Sequence, residues 1–157
     1  MSNKGTLMVG KRGLIMGVAN DRSIAWGIAK AVHAQGGQLA FTYQGEALKK
    51  RVLPLADSVN SNLVIPCDVG SAGDINSAFR TIKATWEQID FVLHAIAYSD
   101  KEELKGNYID TSAENFDKTM NISCYSFTAI CQHARPLMKN GGSLLTLSYF
   151  GAERVMP

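Results

Sequence analysis

The chain has 157 residues, 46% of them hydrophobic and 19% charged, with 14 glycines, 4 prolines and a formal net charge of +2. This length carries one domain with a real hydrophobic core and is short for two, and the apolar content excludes a disordered chain. The small net charge, with basic residues scattered except at Lys49, Lys50 and Arg51, excludes a nucleic-acid binder that works by electrostatic attraction. Met1 to Gly10 holds no apolar run of signal-peptide length, and no later segment is long enough to cross a bilayer, so a cytoplasmic location without a membrane partner is expected. Cys67, Cys124 and Cys131 show none of the paired spacings of zinc sites, redox motifs or disulfide frameworks. Each is expected to be a buried, reduced thiol.

Short β-type runs alternate with helical patterns along the chain. Gly13 to Val18 reads as a strand, and Ile24, Ile28, Ala31 and Val32 then repeat at helical spacing until Gly36 and Gly37 stop the pattern. Gln38 to Tyr43 is a second strand, followed by a helix over Glu46 to Val59 that Pro54 is expected to split or kink. Asn62 to Asp68 is a third strand. Ser71 and Asp74 have capping-box spacing, and Ile75, Phe79, Ile82 and Trp86 mark the buried face of the helix they open. Asp90 to Ala97 is a strongly apolar fourth strand, and the polar stretch from Tyr98 to Thr111 reads as a functional loop. A single long helix is expected next, on a stripe of Phe116, Met120, Ser123, Phe127, Ile130, Ala134 and Leu137, before Gly141 and Gly142 turn the chain into the strand Ser143 to Ser148. Strands apolar on both faces and alternating with helices imply an α/β, Rossmann-type, doubly wound parallel sheet with helices on each side, read as one dinucleotide-binding domain over residues 1–157.

The first turn carries the clearest chemistry. A strand that ends in Gly17 and meets a helix at Ser23 presents backbone N–H groups at a positive helix end, which suits a pyrophosphate. The stretch Gly17-Val-Ala-Asn-Asp-Arg-Ser-Ile-Ala-Trp-Gly27 is not GxGxxG, but it offers a residue for each task. Gly17 allows the tight turn, Ser23 caps the helix and donates to phosphate, Ala25 keeps the approach open, and Gly27 lets the helix lie close to the strand. The alternative is an ordinary strand-to-helix loop with a serine cap. Further cues lie at the carboxyl ends of later strands. Neutral Gln44 stands where an acidic residue usually holds the adenosine ribose, and Asp68 and Val69 stand where the adenine edge would lie, although aspartate is also a turn former. Lys49 to Arg51 could meet a 2′-phosphate but read better as a solvated helix face. His33, His94 and His133 have no partner at ligand spacing, so no metal is expected and structural roles are.

Five stretches in order, Gly17-x5-Ser23-x-Ala25, Phe41-Thr-Tyr-Gln44, Cys67-Asp68-Val69, His94-Ala-Ile-Ala-Tyr98 and Leu144-Leu-Thr-Leu-Ser-Tyr149-Phe-Gly-Ala-Glu153, resemble bacterial enoyl-acyl-carrier-protein reductases, a divergent branch of the short-chain dehydrogenase/reductases. The resemblance covers about Lys11 to Pro157. It implies that Gly17, Ser23 and Ile24 hold the pyrophosphate, Gln44 the adenosine ribose, and Asp68 and Val69 the adenine. Ala95, Ile96 and Ala97 would pass the ribose and nicotinamide, and Tyr98 and Ser99 would open the acyl pocket. The family commonly has glycine where Ala97 stands, which puts inhibitor fit in doubt more than cofactor binding. Gln44 matches the members that use NADH, so NADH is preferred to NADPH.

The implied reaction is reduction of a trans-2-enoyl thioester carried on acyl carrier protein, in type II fatty acid biosynthesis, by a cytoplasmic homotetramer. Tyr149 matches a tyrosine whose hydroxyl would stabilise the enolate oxygen, and Asn121 falls where the wider superfamily has a helix asparagine in its proton relay. The superfamily's Tyr-x-x-x-Lys pair does not occur in these 157 residues, and the last two strands of the sheet are missing, so this chain alone is expected to be inactive. A carbonyl-reducing relative, such as a 3-ketoacyl reductase, and a non-catalytic dinucleotide-binding module are the alternatives.

Overall fold

Apolar runs bounded by glycines and polar turns become five strands: β1 (Arg12–Met16), β2 (Gln38–Tyr43), β3 (Leu63–Pro66), β4 (Phe91–His94) and β5 (Ser143–Thr146). The computed structural model describes residues 5–154. All neighbouring strands pair in parallel, in the order β3-β2-β1-β4-β5. The helices are α1 (Ile24–Ala34), α2 (Gly45–Ser58), α3 (Ala72–Trp86), α4 (Ala113–Met120) and α5 (Ser126–Ala134). On one face of the sheet Ile15, Leu39 and Phe41 pack with Ala25, Trp26, Ala29, Val52 and Ala56, from α1 and α2. On the other, Leu14, Met16 and Ala40 pack with Ile75, Phe79, Ile82, Ile130 and Ala134, from α3 and α5. This is the doubly wound α/β sheet that the alternation predicts.

The strands end earlier than the apolar runs. Residues Ala95 to Ala97 continue β4 in sequence but leave the ladder after the Ala95 amide, which donates to the Met16 carbonyl at 3.1 Å. Their freed backbone lines the space above the sheet. The face of α1 is also displaced from its predicted position: Ala25, Trp26 and Ala29 are buried, whereas Ile24 is 68% exposed. Trp26 takes over the packing, tilted against Phe41 with ring centroids 6.2 Å apart. Pro54 neither splits α2 nor ends it. It lies on the exposed side of the helix, as does Lys50, whose carbonyl it leaves without an amide donor, so water can supply the missing bond.

Ser71 does cap α3. Its hydroxyl accepts the Asp74 amide at 3.2 Å, while the Asp74 carboxylate receives the Ser71 hydroxyl at 3.0 Å and the Asp68 amide at 3.1 Å. The box is therefore closed onto the end of β3 rather than onto the Ser71 amide.

The single long helix of the sequence reading is broken. Between α4 and α5 the chain makes a wide π turn over Asn121–Tyr125, and a 3₁₀ turn over Arg135–Leu137 follows α5. A π turn holds an extra residue, so it moves the buried stripe by one position. Asn115, Ile122 and Ser126 face inwards where Phe116, Ser123 and Phe127 were expected, and the two stripes coincide from Ile130 onwards. Of the three cysteines, all free, only Cys67 is buried; Cys131 is half-buried and Cys124, in the π turn, is exposed.

Candidate functional site

Strand order reverses direction between β1 and β4: the chain steps outwards from β1 through β2 to β3, then returns to the other side of β1. In a doubly wound sheet this leaves a crevice above the carboxyl ends of the strands at the reversal. A cleft of about 760 Å³ lies there, lined by Gly17, Gln44, Asp68, Val69, Ala95 to Tyr98, Lys118 and Ile122, among others.

Gly17 is forced by two separate constraints. Its φ is +92°, and a Cβ there would stand 1.9 Å from the Ala95 carbonyl oxygen. The turn after β1 thus crosses directly over the chain leaving β4. It leads to α1, whose N-cap is Ser23. The Ser23 hydroxyl does not cap the helix; it donates to the Asn20 carbonyl at 2.7 Å. Consequently the Ile24 and Ala25 amides have no hydrogen-bond partner among the described residues, and the positive end of α1 stays open to an anion. Gly27 faces open space, so it is not what allows the helix to approach the strand. Ala25, fully buried against the cluster around Ile15 and Val18, does that instead.

At the other end of the cleft, Gln44 Nε2 donates to Asp68 Oδ2 at 3.0 Å, and Asp68 Oδ1 accepts the Gly70 amide at 2.8 Å. Asp68 is therefore both a turn former and a cleft-lining carboxylate. Cys67 beside it lines the cleft wall, its thiol pushed up to about 12 by burial and then by the charges of Asp74 and Asp68.

The segment after β4 is fastened to α4 and the π turn. The Ser123 hydroxyl receives the Tyr98 amide at 3.0 Å and donates to the Tyr98 carbonyl at 3.1 Å. Buried Asn115 receives the Asp100 amide at 2.9 Å and donates to the Ser99 hydroxyl at 3.2 Å. Lys118 holds its ammonium 4.8 Å from the Tyr98 ring centre. Beneath them, fully buried His94 joins β4 to β5 and α5. The Ser126 hydroxyl donates to the Ile122 carbonyl at 2.7 Å, so it can only accept from His94 Nε2, also at 2.7 Å. That fixes the Nε2–H tautomer and leaves Nδ1 to face the Thr146 hydroxyl at 3.4 Å. Burial lowers the His94 pKa, and the ring is a neutral strut.

The structure thus brings Gly17, Gln44, Asp68, Val69, Ala95, Ile96, Ala97 and Tyr98 into one cleft, with Asn121 on its rim. Ser23 and Ile24 stand at the start of α1, outside the lining, and Ser99 lines a separate cavity with Asn115 and Phe116. Tyr149 does not line the cleft: it follows β5, 68% exposed, at the start of a 3₁₀ turn over Phe150–Ala152. Sequence reading missed Lys118, Ile122 and Asn115. The first two stand four residues apart, at helical spacing, and that spacing was the available signal for them. Asn115 is recognised only through its partners in the loop after β4, Asp100 and Ser99. Among the described residues no group of His, Cys, Asp and Glu could hold a metal ion, and no helix is long and apolar enough to cross a membrane.

Known proteins share this fold. A family model described as enoyl-(acyl carrier protein) reductase matches residues 17–157. Two NADH-type enoyl-acyl-carrier-protein reductases of Rhizobium meliloti are similar to the chain, at 61% identity over 96% of it and 55% identity over all of it. Among solved structures, an enoyl-acyl-carrier-protein reductase of Anaplasma phagocytophilum in complex with NAD superposes with a TM-score of 0.94 at 58% identity, covering 100% of this chain and 60% of that one. The NADH-type reductase of Aquifex aeolicus gives 0.93 at 49% identity, covering 96% and 60%. The chain spans 56% and 58% of the length of the two Rhizobium relatives. With the family model matched along nearly the whole sequence and the fold shared with solved members, the chain belongs to the enoyl-(acyl carrier protein) reductase family.

Proposed function

We propose that these residues form the dinucleotide-binding part of an NADH-dependent reductase of trans-2-enoyl thioesters carried on acyl carrier protein, an enzyme of type II fatty acid biosynthesis. The observation that carries the proposal is the crossing of Gly17 over Ala95, with a positive φ and no room for a Cβ, in the lining of a cleft of about 760 Å³ above the carboxyl ends of the strands. When bound, the nicotinamide supplies a hydride to the β-carbon of the thioester. The chain's own groups do the rest. The open amides of α1, with Ser23 and Ile24 beside them, hold the pyrophosphate; Gln44 takes the adenosine ribose, and Asp68 and Val69 take the adenine. Ala95 to Ala97 orient the nicotinamide side, with the Ala97 methyl narrowing the space there.

Tyr98 and Ser99 open towards the acyl chain, and the Tyr149 hydroxyl donates to the thioester oxygen as negative charge develops on it. Reduction also needs the Tyr-x-x-x-Lys pair, which these 157 residues do not contain, so binding and turnover separate. A cytoplasmic homotetramer is the assembly that goes with this reading.

Titration of the chain with NADH, followed by nicotinamide fluorescence, is expected to give saturable binding. Gly17→Ala should weaken it by at least about tenfold, because strain at such a position costs about 1–3 kcal/mol and the loop must move off Ala95. Absence of saturable binding by the unmodified chain overturns the proposal. Steady NADH oxidation with a crotonyl thioester by the 157 residues alone would refute the separation of binding from turnover.

A further inference from the structure

The helices on the α3 face of the sheet leave a groove between them, away from the cleft. Asn76, Phe79, Arg80, Lys83, Ala84 and Glu87 recur at three- and four-residue spacing, so they form one stripe along the end of α3. His133, Pro136, Leu137 and Lys139, at the end of α5 and beyond it, make the facing wall. The groove holds about 850 Å³ and shares no lining residue with the cleft. Buried Phe79 and Leu137 lie at its base, and the His133 ring stacks on Phe79 with centroids 5.7 Å apart. Arg80, Lys83 and Lys139 are exposed along its rims and enter none of the ion pairs among the described residues. Glu87 is the one carboxylate in the lining.

We propose that this groove docks an acidic amphipathic helix of a partner protein, its apolar face on Phe79, Pro136 and Leu137 and its carboxylates against Arg80, Lys83 and Lys139. Three unpaired cations against one carboxylate set the sign of the partner's charge, and the apolar base between them sets its shape. From Asn76 to Glu87 the stripe runs about 16 Å at 1.5 Å per residue, which is room for about three turns of a partner helix. A small free anion would meet the cations but leave the base uncovered. A second copy of this chain, meeting this face about a two-fold axis, would set cations against cations. A right-handed crossover to a strand beyond β5 would place its helix on the far side of α5 from α3, so an extension of the sheet leaves the groove open.

The test uses a fluorescein-labelled peptide of about four helical turns, held helical by a hydrocarbon staple, with leucines along one face and glutamates flanking them. Its fluorescence anisotropy is followed against the 157-residue chain. Saturable binding with a Kd below about 1 mM is expected. A peptide with glutamine for each glutamate, and one with the leucines scattered off a single face, should each bind at least about tenfold more weakly. Arg80→Glu and Lys139→Glu, both at exposed positions, should each weaken the acidic peptide about tenfold while the urea midpoint stays near that of the unmodified chain. Lys30→Glu makes the same change of charge on α1, across the sheet, and should leave binding unchanged. Carbodiimide coupling of the bound peptide should map to Lys83 and Lys139. No saturable binding, equal binding of either control peptide, or equal loss in Lys30→Glu overturns the proposal.

Discussion

β1 and β5 belong to the same parallel sheet and are both rich in apolar residues, yet they live in different surroundings. Every residue from Gly13 to Met16 in β1 is buried, between β2 and β4 and under helices on both faces. All four residues of β5 are exposed; Leu144 keeps 39% of its surface and Leu145 51%. Beyond them Leu147, Tyr149 and Phe150 are exposed as well. An apolar run fixes where a strand forms, but neighbours decide what it buries. β5 has β4 on one side and, among the described residues, no strand on the other. Such an edge, with leucines on it, is a surface made to be covered. The cleft draws its lining mostly from the well-packed side of the sheet.

The largest expected effect tests that contrast directly. Phe41→Ala, at a fully buried position between α1 and the sheet, should cost about 3–5 kcal/mol in urea unfolding. Leu145→Ala should cost about 1 kcal/mol or less, since half of that side chain is already in water. Equal costs would mean that β5 is covered in solution and would break the contrast.

A smaller effect is expected where the two regions are tied together. Asp90 lies at the start of β4, at the end of the sheet away from the cleft. Its backbone donates to the Arg12 carbonyl of β1 and accepts from the Ser143 amide of β5, and its carboxylate takes the Arg12 amide and Lys11, each at 2.9 Å. Burial opposes the charge, but the Arg12 amide, the Lys11 ammonium and the Arg12 charge together hold the carboxyl below its usual 3.8. A carboxyl with a depressed native pKa stabilises the fold above its unfolded value, and that stability is lost as pH falls through the native value. Stability should therefore be unaffected by this group from neutrality down to about pH 4 and should decline below it. Asp90→Asn should cost about 1–2 kcal/mol at neutral pH, and its acid decline should be shallower. A pair of denaturation series against pH measures both. Equal acid slopes in the two proteins would show that Asp90 is not what ties β1 to β5.

Much of this was legible in the sequence, for identifiable reasons. Strand and helix order followed from apolar periodicity and glycine stops, and the tight turn after β1 followed from Gly17, whose conformation favours glycine. The role of Gly27 was misread because spacing alone does not say which side of α1 faces the sheet. Trp26 decides that, and a tryptophan reads poorly in a pattern of isoleucines and alanines. The π turn was invisible for a similar reason: a stripe at a 3.5-residue period fits a continuous helix as well as one with an inserted residue. Asn115 was hidden for another reason: its partners, Ser99 and Asp100, lie in the loop after β4. The Gln44–Asp68 bond was hidden because its two halves meet only through the register of β2 and β3.

The smallest effect concerns the cysteines, one on each side of the contrast and one between. Cys67 follows β3 on the packed side, and burial raises its thiol to about 12, so it presents almost no thiolate near neutrality. Burial also raises Cys131, on α5, though it is only half-buried. Cys124 is exposed in the π turn. Alkylation at pH 8 followed by peptide mapping should modify Cys124 first, Cys131 more slowly and Cys67 only after unfolding. Blocking Cys124 should leave stability within about 0.5 kcal/mol, as for surface changes away from packed groups. Labelling of Cys67 at a rate near that of Cys124 would show that the β3 end opens readily. The cleft wall it forms would then be a mobile surface, not a preformed one.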